Sequence, residues 1–242
     1  MPHVRLHLLG GFELTIDGQQ AAALQPGSQR LLAFVALTLR GVERDFAAQQ
    51  LWPDSTEERA RANLRSSLWR LRRLPVSLVE TTPTRLRLAD SVWVDIRDGI
   101  GELTEADGWE GPVALDSLFV DLLPDWYDEW LTIEREKLRQ VILRALEDRA
   151  RLALARGDPG EAIQVGLTAM AIDPLRETTC RLLMEVHLSE GNEYDAQRAL
   201  DDYRRRLACD PRVSVSAETE ELLHRNRGPA MPETAVAHRI GG

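Results

Sequence analysis

The residue types best suited to chemistry in this chain are the arginines of residues 59–73, RARANLRSSLWRLRR. This stretch contains six arginines and no acidic residue, although the formal net charge of the 242-residue chain is -9. Arginine can bond two acceptor atoms of a guanine or of a phosphate at once, asparagine can do the same for adenine, and serine adapts to either. The composition of the stretch therefore suggests contact with nucleic acid, provided that these side chains share one face.

A helical wheel divides the stretch into an apolar stripe and a basic face. The stripe, which we expect to pack on a core, consists of four residues: Ala60, Leu64, Leu68 and Leu71. The opposite face holds the residues predicted to enter a groove of DNA: Arg59, Asn63, Ser66, Arg70 and Arg73. Arg65 and Arg72 lie on one flank and are predicted to contact phosphates.

A solvated amphipathic helix, whose arginines pair with acids elsewhere, is the alternative interpretation of this stretch. Two observations favour DNA binding. No acid lies between residues 59 and 73 to form pairs at i,i+4 spacing. The helix is also the third helix of a predicted winged domain and precedes a hairpin, which is where a recognition helix is expected.

The elements predicted around this helix follow the order sheet, three helices, hairpin. The first segment alternates apolar and polar residues and turns at Gly10-Gly11 and at Asp17-Gly18, as a hairpin or a meander does. Three helical segments follow up to residue 74, with starts expected from their capping residue types. The expected starting residues are Ser28 for the first helix, Asp45 for the second, and Asp54 or Ser55 for the third.

The second hairpin surrounds the sequence TTPT at residues 81–84 and forms the predicted wing. Hydroxyl groups and arginines at such a tip suit contact with phosphates or with the minor groove. The residues predicted to make these contacts are Thr82, Thr84, Arg85 and Arg87. An ordinary polar hairpin remains the alternative for each residue taken alone.

The second part of the chain has a different composition and pattern. Residues 1–98 carry a net charge of +2 and residues 99–242 a net charge of -11, which argues against nucleic-acid contact in the second part. Gly157 and Gly191 are 34 residues apart, as are Ala162 and Ala196, and 34 is the period of tetratricopeptide helix pairs. This pattern predicts a helical repeat.

The predicted fold class is an α+β winged helix-turn-helix domain followed by an all-α tetratricopeptide-like helical domain. The predicted boundaries are a winged domain at 1–97, a connector at 98–125, a helical domain at 126–228 and a disordered tail at 229–242.

Several classes of function are disfavoured by what the sequence lacks. The two cysteines have no zinc-site spacing, and the sequence holds no HExxH, GxSxG or glycine-rich phosphate loop. We therefore expect no enzyme, no metal and no cofactor. No apolar run is long enough for a bilayer, and no signal peptide is evident, so the expected location is the cytoplasm, in association with the nucleoid.

Four segments of the first part resemble the winged-helix domain of the SARP regulators, the Streptomyces antibiotic regulatory proteins. They read VRLHLLGGFELTIDG, LLAFVALTLRG, LWPDSTEERARANLRSSLWRLRR and RLRLADSVWVDI. The second part, from LLPDWYDEWLTIEREKLRQ to EYDAQRALDDYRRRL, resembles the bacterial transcriptional activator domain that follows it in this family. The resemblance covers about residues 3–227.

This resemblance implies a transcriptional activator that binds direct repeats of double-stranded DNA near a promoter and recruits RNA polymerase. Members often control gene clusters for secondary metabolites. The family's recognition helix corresponds to residues 57–74 and its wing to residues 80–88, and the helical domain is associated with dimerisation, so a homodimer is expected on DNA. The alternative is a protein-interaction adaptor, in which the helical repeat is the working part and the winged domain does not contact bases.

Overall fold

The computed structural model describes residues 2–38, 40–99, 121–209 and 212–226. Contacts divide the chain into two compact units, Met1–Ile142 and Leu143–Gly242. The domain boundaries proposed from the sequence, at residues 97, 125 and 228, stay predictions. Most of the predicted connector and the whole of the predicted tail lie outside the described residues.

The N-terminal unit contains short strands and three helices before its last helix begins. In chain order these elements are β1 (Val4–His7), β2 (Glu13–Ile16), β3 (Gln19–Gln20), α1 (Pro26–Leu37), β4 (Val42–Glu43), α2 (Arg44–Leu51), α3 (Glu57–Leu71), β5 (Val79–Thr81), β6 (Arg85–Leu88), β7 (Val92–Val94) and a five-residue π-helical segment, Asp95–Gly99. The helices that follow are α4 (Glu129–Ala155), α5 (Pro159–Ile172), α6 (Glu177–Ser189), α7 (Glu193–Leu207) and α8 (Ala217–Asn226). None of the described helices is both long and apolar enough to cross a membrane.

The first sheet has the strand order β3-β2-β1-β7. β1 and β2 form the predicted antiparallel hairpin, with Leu6 opposite Leu14, and both side chains are buried as their alternation predicts. β7 pairs with β1 in parallel, with Leu6 also opposite Val94, and this pairing was not predicted. The carboxylate of Asp95, just after β7, accepts hydrogen bonds from the N–H groups of Leu8 (2.8 Å) and Leu9 (3.0 Å).

The second sheet has the order β4-β6-β5 and contains the predicted second hairpin. β5 and β6 are antiparallel, with Val79 opposite Leu88. The turn between them is closed by a hydrogen bond from Thr82 N–H to Arg85 O (2.9 Å) and by one from Arg85 N–H to Thr82 Oγ1 (2.9 Å). β4, which the sequence did not predict, pairs with β6 between Val42 and Leu86, so the base of the wing is attached to the α1–α2 connection.

Helix α3 packs against α1 and α2 through the predicted stripe of Ala60, Leu64, Leu68 and Leu71, all of which are buried. Ser67 is buried as well, and its carbonyl oxygen accepts a hydrogen bond from Ser28 Oγ (3.5 Å). A Cβ added to Gly27 would lie 3.2 Å from Ser67 Oγ, which shows how closely α1 and α3 approach. Small residues on both helices therefore fix the position of α3 in the domain.

The starts of the three helices differ from the predicted ones. α3 begins after Thr56, whose Oγ1 accepts the N–H of Arg59 (3.4 Å), rather than after Asp54 or Ser55. α1 begins at Pro26, whose ring fixes the backbone angle suited to a first helical position. The predicted start, Ser28, lies inside α1 and is buried. Asp45 lies in the first turn of α2, where the positive end of the helix dipole stabilises a carboxylate, but it does not cap the helix.

Residues 121–142 complete the core of the N-terminal unit. Leu123 N–H donates to Leu8 O (2.9 Å). Leu131 and Trp130 are buried in the same core as β1 and α1, with the Trp130 ring edge-on to Phe34 at 5.1 Å. The guanidinium of Arg135 donates to the carbonyl oxygens of Leu122 (2.8 Å), Leu123 (2.5 Å) and Trp126 (2.9 Å). The core of this unit therefore depends on residues well beyond its second sheet.

Gly41, between α1 and β4, should be intolerant of a side chain. Its φ is +74°, and a Cβ there would lie 2.8 Å from the carbonyl oxygen of Leu86, which β-pairing holds in place. We expect Gly18→Ala, at φ +77° but with nothing within 4 Å, to lower the unfolding free energy by about 1–2 kcal/mol. Gly41→Ala should lower it by about 1–3 kcal/mol more because of the added clash. Urea denaturation of both variants measures the difference, and equal effects would contradict the tight packing.

The C-terminal unit contains the predicted 34-residue repeat. Gly157 follows the end of α4 and Gly191 follows the end of α6, with φ of +80° and +73°, a conformation that favours glycine. The residues after them cap the next helices: Asp158 accepts the N–H of Glu161 (2.9 Å), and Asn192, 34 positions later, accepts the N–H of Asp195 (3.3 Å). Both repeat alanines, Ala162 and Ala196, are fully buried. This arrangement confirms the tetratricopeptide-like fold class.

A buried carboxylate joins two helices of this unit. Glu147 on α4 is only 3% exposed. Its oxygens accept hydrogen bonds from Arg176 Nε (2.7 Å) and Nη2 (3.2 Å), just before α6, and from the hydroxyls of Thr178 (2.5 Å) and Thr179 (2.8 Å) in the first turn of α6. Arg149, also on α4, donates to Glu161 on α5 (2.9 Å). These polar contacts attach α4 to both helices that follow it.

Candidate nucleic-acid interface

All seven residues predicted for the recognition helix lie outside the buried stripe of α3. The side chains of Arg59, Arg65, Arg72 and Arg73 are exposed. The side chains of Asn63, Ser66 and Arg70 are half-buried. The predicted set is therefore accessible, but not uniformly.

The position of Ser67 explains the difference within the predicted set. Because Ser67 is buried against α1, the buried stripe extends around the helix toward Asn63 and Arg70, which lie beside it on the wheel. The side of α3 farthest from the core holds three exposed residues that the predicted set omits: Glu58, Ala62 and Trp69. Trp69 lies away from the leucines on the wheel, and this is the one signal in the sequence that could have identified it.

The arginines of α3 fall into two electrostatic classes. Within the described part of the chain, the guanidinium groups of Arg59, Arg65 and Arg70 form no ion pair. Arg61, at the edge of the core, donates instead to Asp45 on α2 (2.8 Å) and to Glu57 (2.6 Å). The hydrogen bond from Arg61 lowers the pKa of Asp45, so this pair stays ionised at neutral pH.

Trp69 and Arg73 form one exposed contact at the end of α3. The guanidinium carbon of Arg73 lies 4.9 Å from the centre of the Trp69 ring, a cation–π distance. The Trp69 side chain nevertheless keeps 58% of its surface exposed. The aromatic ring therefore orients an arginine without being covered by the fold.

Arg72 connects the recognition helix to the wing. Its Nη2 atom donates to Thr81 Oγ1 on β5 (2.6 Å), while the side chain stays exposed. This hydrogen bond ties the end of the helix to the first strand of the wing.

The four predicted wing residues are all exposed. Thr82 and Arg85 close the turn as described above, and Arg85 Nη2 also donates to Gly41 O (3.3 Å). Thr84 lies at the tip, where its carbonyl oxygen accepts the N–H of Arg44 (2.9 Å). The wing tip is therefore an ordered structure attached to the start of α2.

The guanidinium of Arg87 is paired with carboxylates of the protein itself, and this limits its availability to a phosphate. Its Nη2 atom donates to Glu80 (2.9 Å) and to Asp90 (3.0 Å). The hydrogen bond to Glu80, together with the charge of Asp90, raises the pKa of Arg87 further above its usual value. A phosphate contact by Arg87 would have to replace two carboxylates, and this contact stays a prediction.

Two further observations concern metal ligands and thiols among the described residues. No group of three or more His, Cys, Asp or Glu in the described ranges could hold a metal ion. Burial raises the pKa of the Cys180 thiol to about 12, so this cysteine is protonated and a poor nucleophile at neutral pH.

Two similarities to known proteins bear on this arrangement. The family described as "Bacterial transcriptional activator domain" matches residues 100–225. The solved structure of Mycobacterium tuberculosis EmbR in complex with a low affinity phosphopeptide has the same fold, with a TM-score of 0.73 and 21% sequence identity. That match covers 93% of this chain and 65% of EmbR, so this chain spans slightly less than two thirds of EmbR. No curated protein matches the sequence significantly.

The EmbR fold confirms the predicted fold class, a winged helix-turn-helix followed by a helical domain. The domain match covers more than half of the chain and coincides with the part whose sequence resembles the second domain of the SARP regulators. The chain therefore belongs to the family of proteins that carry the bacterial transcriptional activator domain.

Proposed function

We propose that this protein is a sequence-specific transcriptional activator that binds direct repeats of double-stranded DNA near a promoter. Helix α3 enters the major groove, and the wing contacts the adjacent backbone or minor groove. The groove contacts come from Arg59, Asn63, Ser66, Arg70 and Arg73. Phosphate contacts come from Arg65 and Arg72 on the helix and from the four wing residues: Thr82, Thr84, Arg85 and Arg87.

The observation that carries this proposal is the group of arginines on α3 without acidic partners. A helix that served only as a structural element could pair its arginines with nearby carboxylates, as Arg61 does with Asp45. Arg59, Arg65 and Arg70 have no such partner among the described residues, although the chain as a whole has nine more acids than bases. Positive charge kept together despite its self-repulsion is expected where a polyanion neutralises it.

The helical domain supplies the protein contacts in this proposal. Residues 99–242 carry a net charge of -11 and are unsuited to DNA. We propose that this domain contacts RNA polymerase and a second copy of the chain, so that two copies occupy the two repeats. The targets are genes of a secondary-metabolite cluster, and the protein acts in the cytoplasm at the nucleoid. The resemblance to the SARP regulators supports these finer assignments.

The experiment that tests the proposal is selection of bound sites from a random duplex pool by the full chain. We expect an enriched direct repeat whose half-sites contain guanines, because arginine accounts for most of the predicted groove contacts. Enrichment of no sequence by folded protein would contradict the proposal. It would favour the adaptor alternative, in which the helical domain is the working part.

The predicted phosphate contacts give a separate salt signature. Each protein–phosphate contact releases about one counterion, so removing one arginine from a phosphate changes the slope of log K against log salt by about 0.9. We expect Arg65→Ala and Arg72→Ala each to reduce that slope by about this amount and to weaken all duplex sequences alike. Titrations of a labelled duplex at several salt concentrations measure the slope. Arg151→Ala, which removes one exposed positive charge from the C-terminal unit, is the matched control and should leave the slope unaltered.

A change in the preferred sequence, instead of a uniform weakening, would contradict the phosphate assignment. Arg65 would then be a base contact. Arg72→Ala also removes the hydrogen bond from Arg72 to Thr81, and this loss can change the affinity for DNA by itself. The slope of log K against log salt is therefore the deciding measurement for this variant.

A further inference from the structure

Trp69 is a large apolar side chain on a face of α3 that otherwise holds polar residues and one alanine. A single exposed apolar residue is ordinary on a protein surface. Trp69 differs because it projects from the helix side farthest from the core, between Arg65 and Arg73, with small Ala62 two turns before it. A ring at this position would be the first part of α3 to meet the floor of a groove.

The neighbouring arginine restricts what this ring can contact. The guanidinium of Arg73 lies 4.9 Å from the ring centre. Successive base pairs in DNA are about 3.4 Å apart along the axis. Two groups separated by such a distance reach the same base pair or neighbouring ones.

The major groove offers one apolar group, the C5-methyl of thymine, and one strong arginine target, the O6 and N7 atoms of guanine. We infer that Trp69 packs on a thymine methyl while holding the guanidinium of Arg73 against an adjacent guanine. This inference rests on the proposed DNA-binding function and deepens it. Trp69 is then a specificity-determining residue, and each half-site contains a thymine next to a guanine.

The contact between Trp69 and Arg73 also explains why an exposed arginine could discriminate between bases. A free arginine side chain gives up much of its rotamer entropy when it is fixed on one base. The cation–π contact fixes part of the Arg73 side chain before DNA arrives. Removing the ring should therefore weaken the arginine contact as well as the methyl contact.

The test uses the full chain and a fluorescein-labelled duplex of the selected site, in which each thymine is replaced in turn by deoxyuridine. This replacement removes only the C5-methyl group. We expect wild-type affinity to fall about four-fold at one position, the effect of about 0.8 kcal/mol for one buried CH₂-sized group. Trp69→Ala should bind the duplex with deoxyuridine at this position as tightly as it binds the duplex with thymine. Trp69→Phe should keep part of the difference in affinity between these two duplexes. Trp69 is exposed, and equal unfolding midpoints of the variants and wild type verify that folding is unchanged.

A second replacement tests the arginine half of the inference. 7-Deazaguanine lacks the N7 acceptor, and at the guanine beside the sensitive thymine it should weaken wild type but not Arg73→Ala. The effect should be smaller in Trp69→Ala than in wild type. The inference would be overturned if the guanine whose replacement weakens binding lay several base pairs away from the thymine whose replacement weakens binding.

Two outcomes overturn the methyl contact itself. One is a wild-type protein that binds its site equally well with deoxyuridine at every thymine. The other is a Trp69→Ala variant whose affinity falls by the same factor as that of wild type at the sensitive position. Failure of the proposed function looks different, because no duplex would be enriched in the selection at all.

Discussion

Replacing Arg70 and Arg73 together by alanine should abolish selection of the DNA site. Removal of one bidentate base contact weakens binding by about 1–3 kcal/mol, so the double variant should bind the selected duplex about 30-fold to more than 10⁴-fold more weakly. Its binding to random DNA should fall much less, because phosphate contacts are unchanged. Fluorescence titrations with the selected and a scrambled duplex, at one fixed salt concentration, measure the ratio.

The matched control is Arg151→Ala/Arg205→Ala, which changes the net charge by the same amount. Both arginines are exposed on helices of the C-terminal unit, where each pairs with an acid three residues earlier, Asp148 and Asp202. We expect this control to keep the ratio of selected to scrambled binding. If both double variants lowered that ratio equally, the basic face of α3 would be assigned wrongly.

The largest effect on stability is expected for Glu147→Ala. Removal of one partner from a buried ion pair destabilises proteins by about 3–5 kcal/mol, and here two threonine hydroxyls are deprived of their acceptor as well. Urea denaturation followed by circular dichroism measures this destabilisation. The control Glu185→Ala removes an exposed carboxylate from α6 and should change stability by less than about 0.5 kcal/mol. Equal effects of the two changes would show that the buried network contributes nothing.

The same carboxylate predicts a pH dependence with a definite sign. Burial raises the pKa of Glu147, but hydrogen bonds from Arg176, Thr178 and Thr179 outweigh burial and hold it below the ordinary 4.5. The unfolded state therefore takes up the proton first. The stabilisation is fully present above about pH 4.5 and is lost as the pH falls through the lower folded value. Stability of Glu147→Gln, measured by urea denaturation across that range, should lack this dependence.

The elements that could be predicted are those whose pattern is local. The leucine stripe of α3 and the 34-residue spacing of the repeat both appear as predicted, because helical periodicity and glycine geometry depend on nearby residues. The parallel pairing of β7 with β1 and the pairing of β4 with β6 could not be predicted, because they depend on contacts between distant segments. The predicted helix starts differ by a few residues because several capping residues compete in DSTEE and in QPGS.

The candidate site could be predicted as a helix face but not in its detail. The wheel identified seven accessible residues, and their DNA contacts stay predictions. The burial of Ser67 depends on Ser28 in another helix, so the half-burial of Asn63 and Arg70 was hidden from the sequence. The carboxylate partners of Arg87 come from two positions on the hairpin, and only its register brings them together.

The pairing of the first strand with the last one has a consequence for biosynthesis. Leu8 and Asp95, which close this sheet through a hydrogen bond, are 87 residues apart in the sequence. At a synthesis rate of about 5–20 residues per second, β1 leaves the ribosome about 4–17 s before its partner is made. During that time β1 and β2 lack β7, the strand that pairs with β1 in parallel. Chaperone binding to nascent chains should accordingly be strongest while residues 4–16 are exposed, and should end once residues up to Leu131 have emerged.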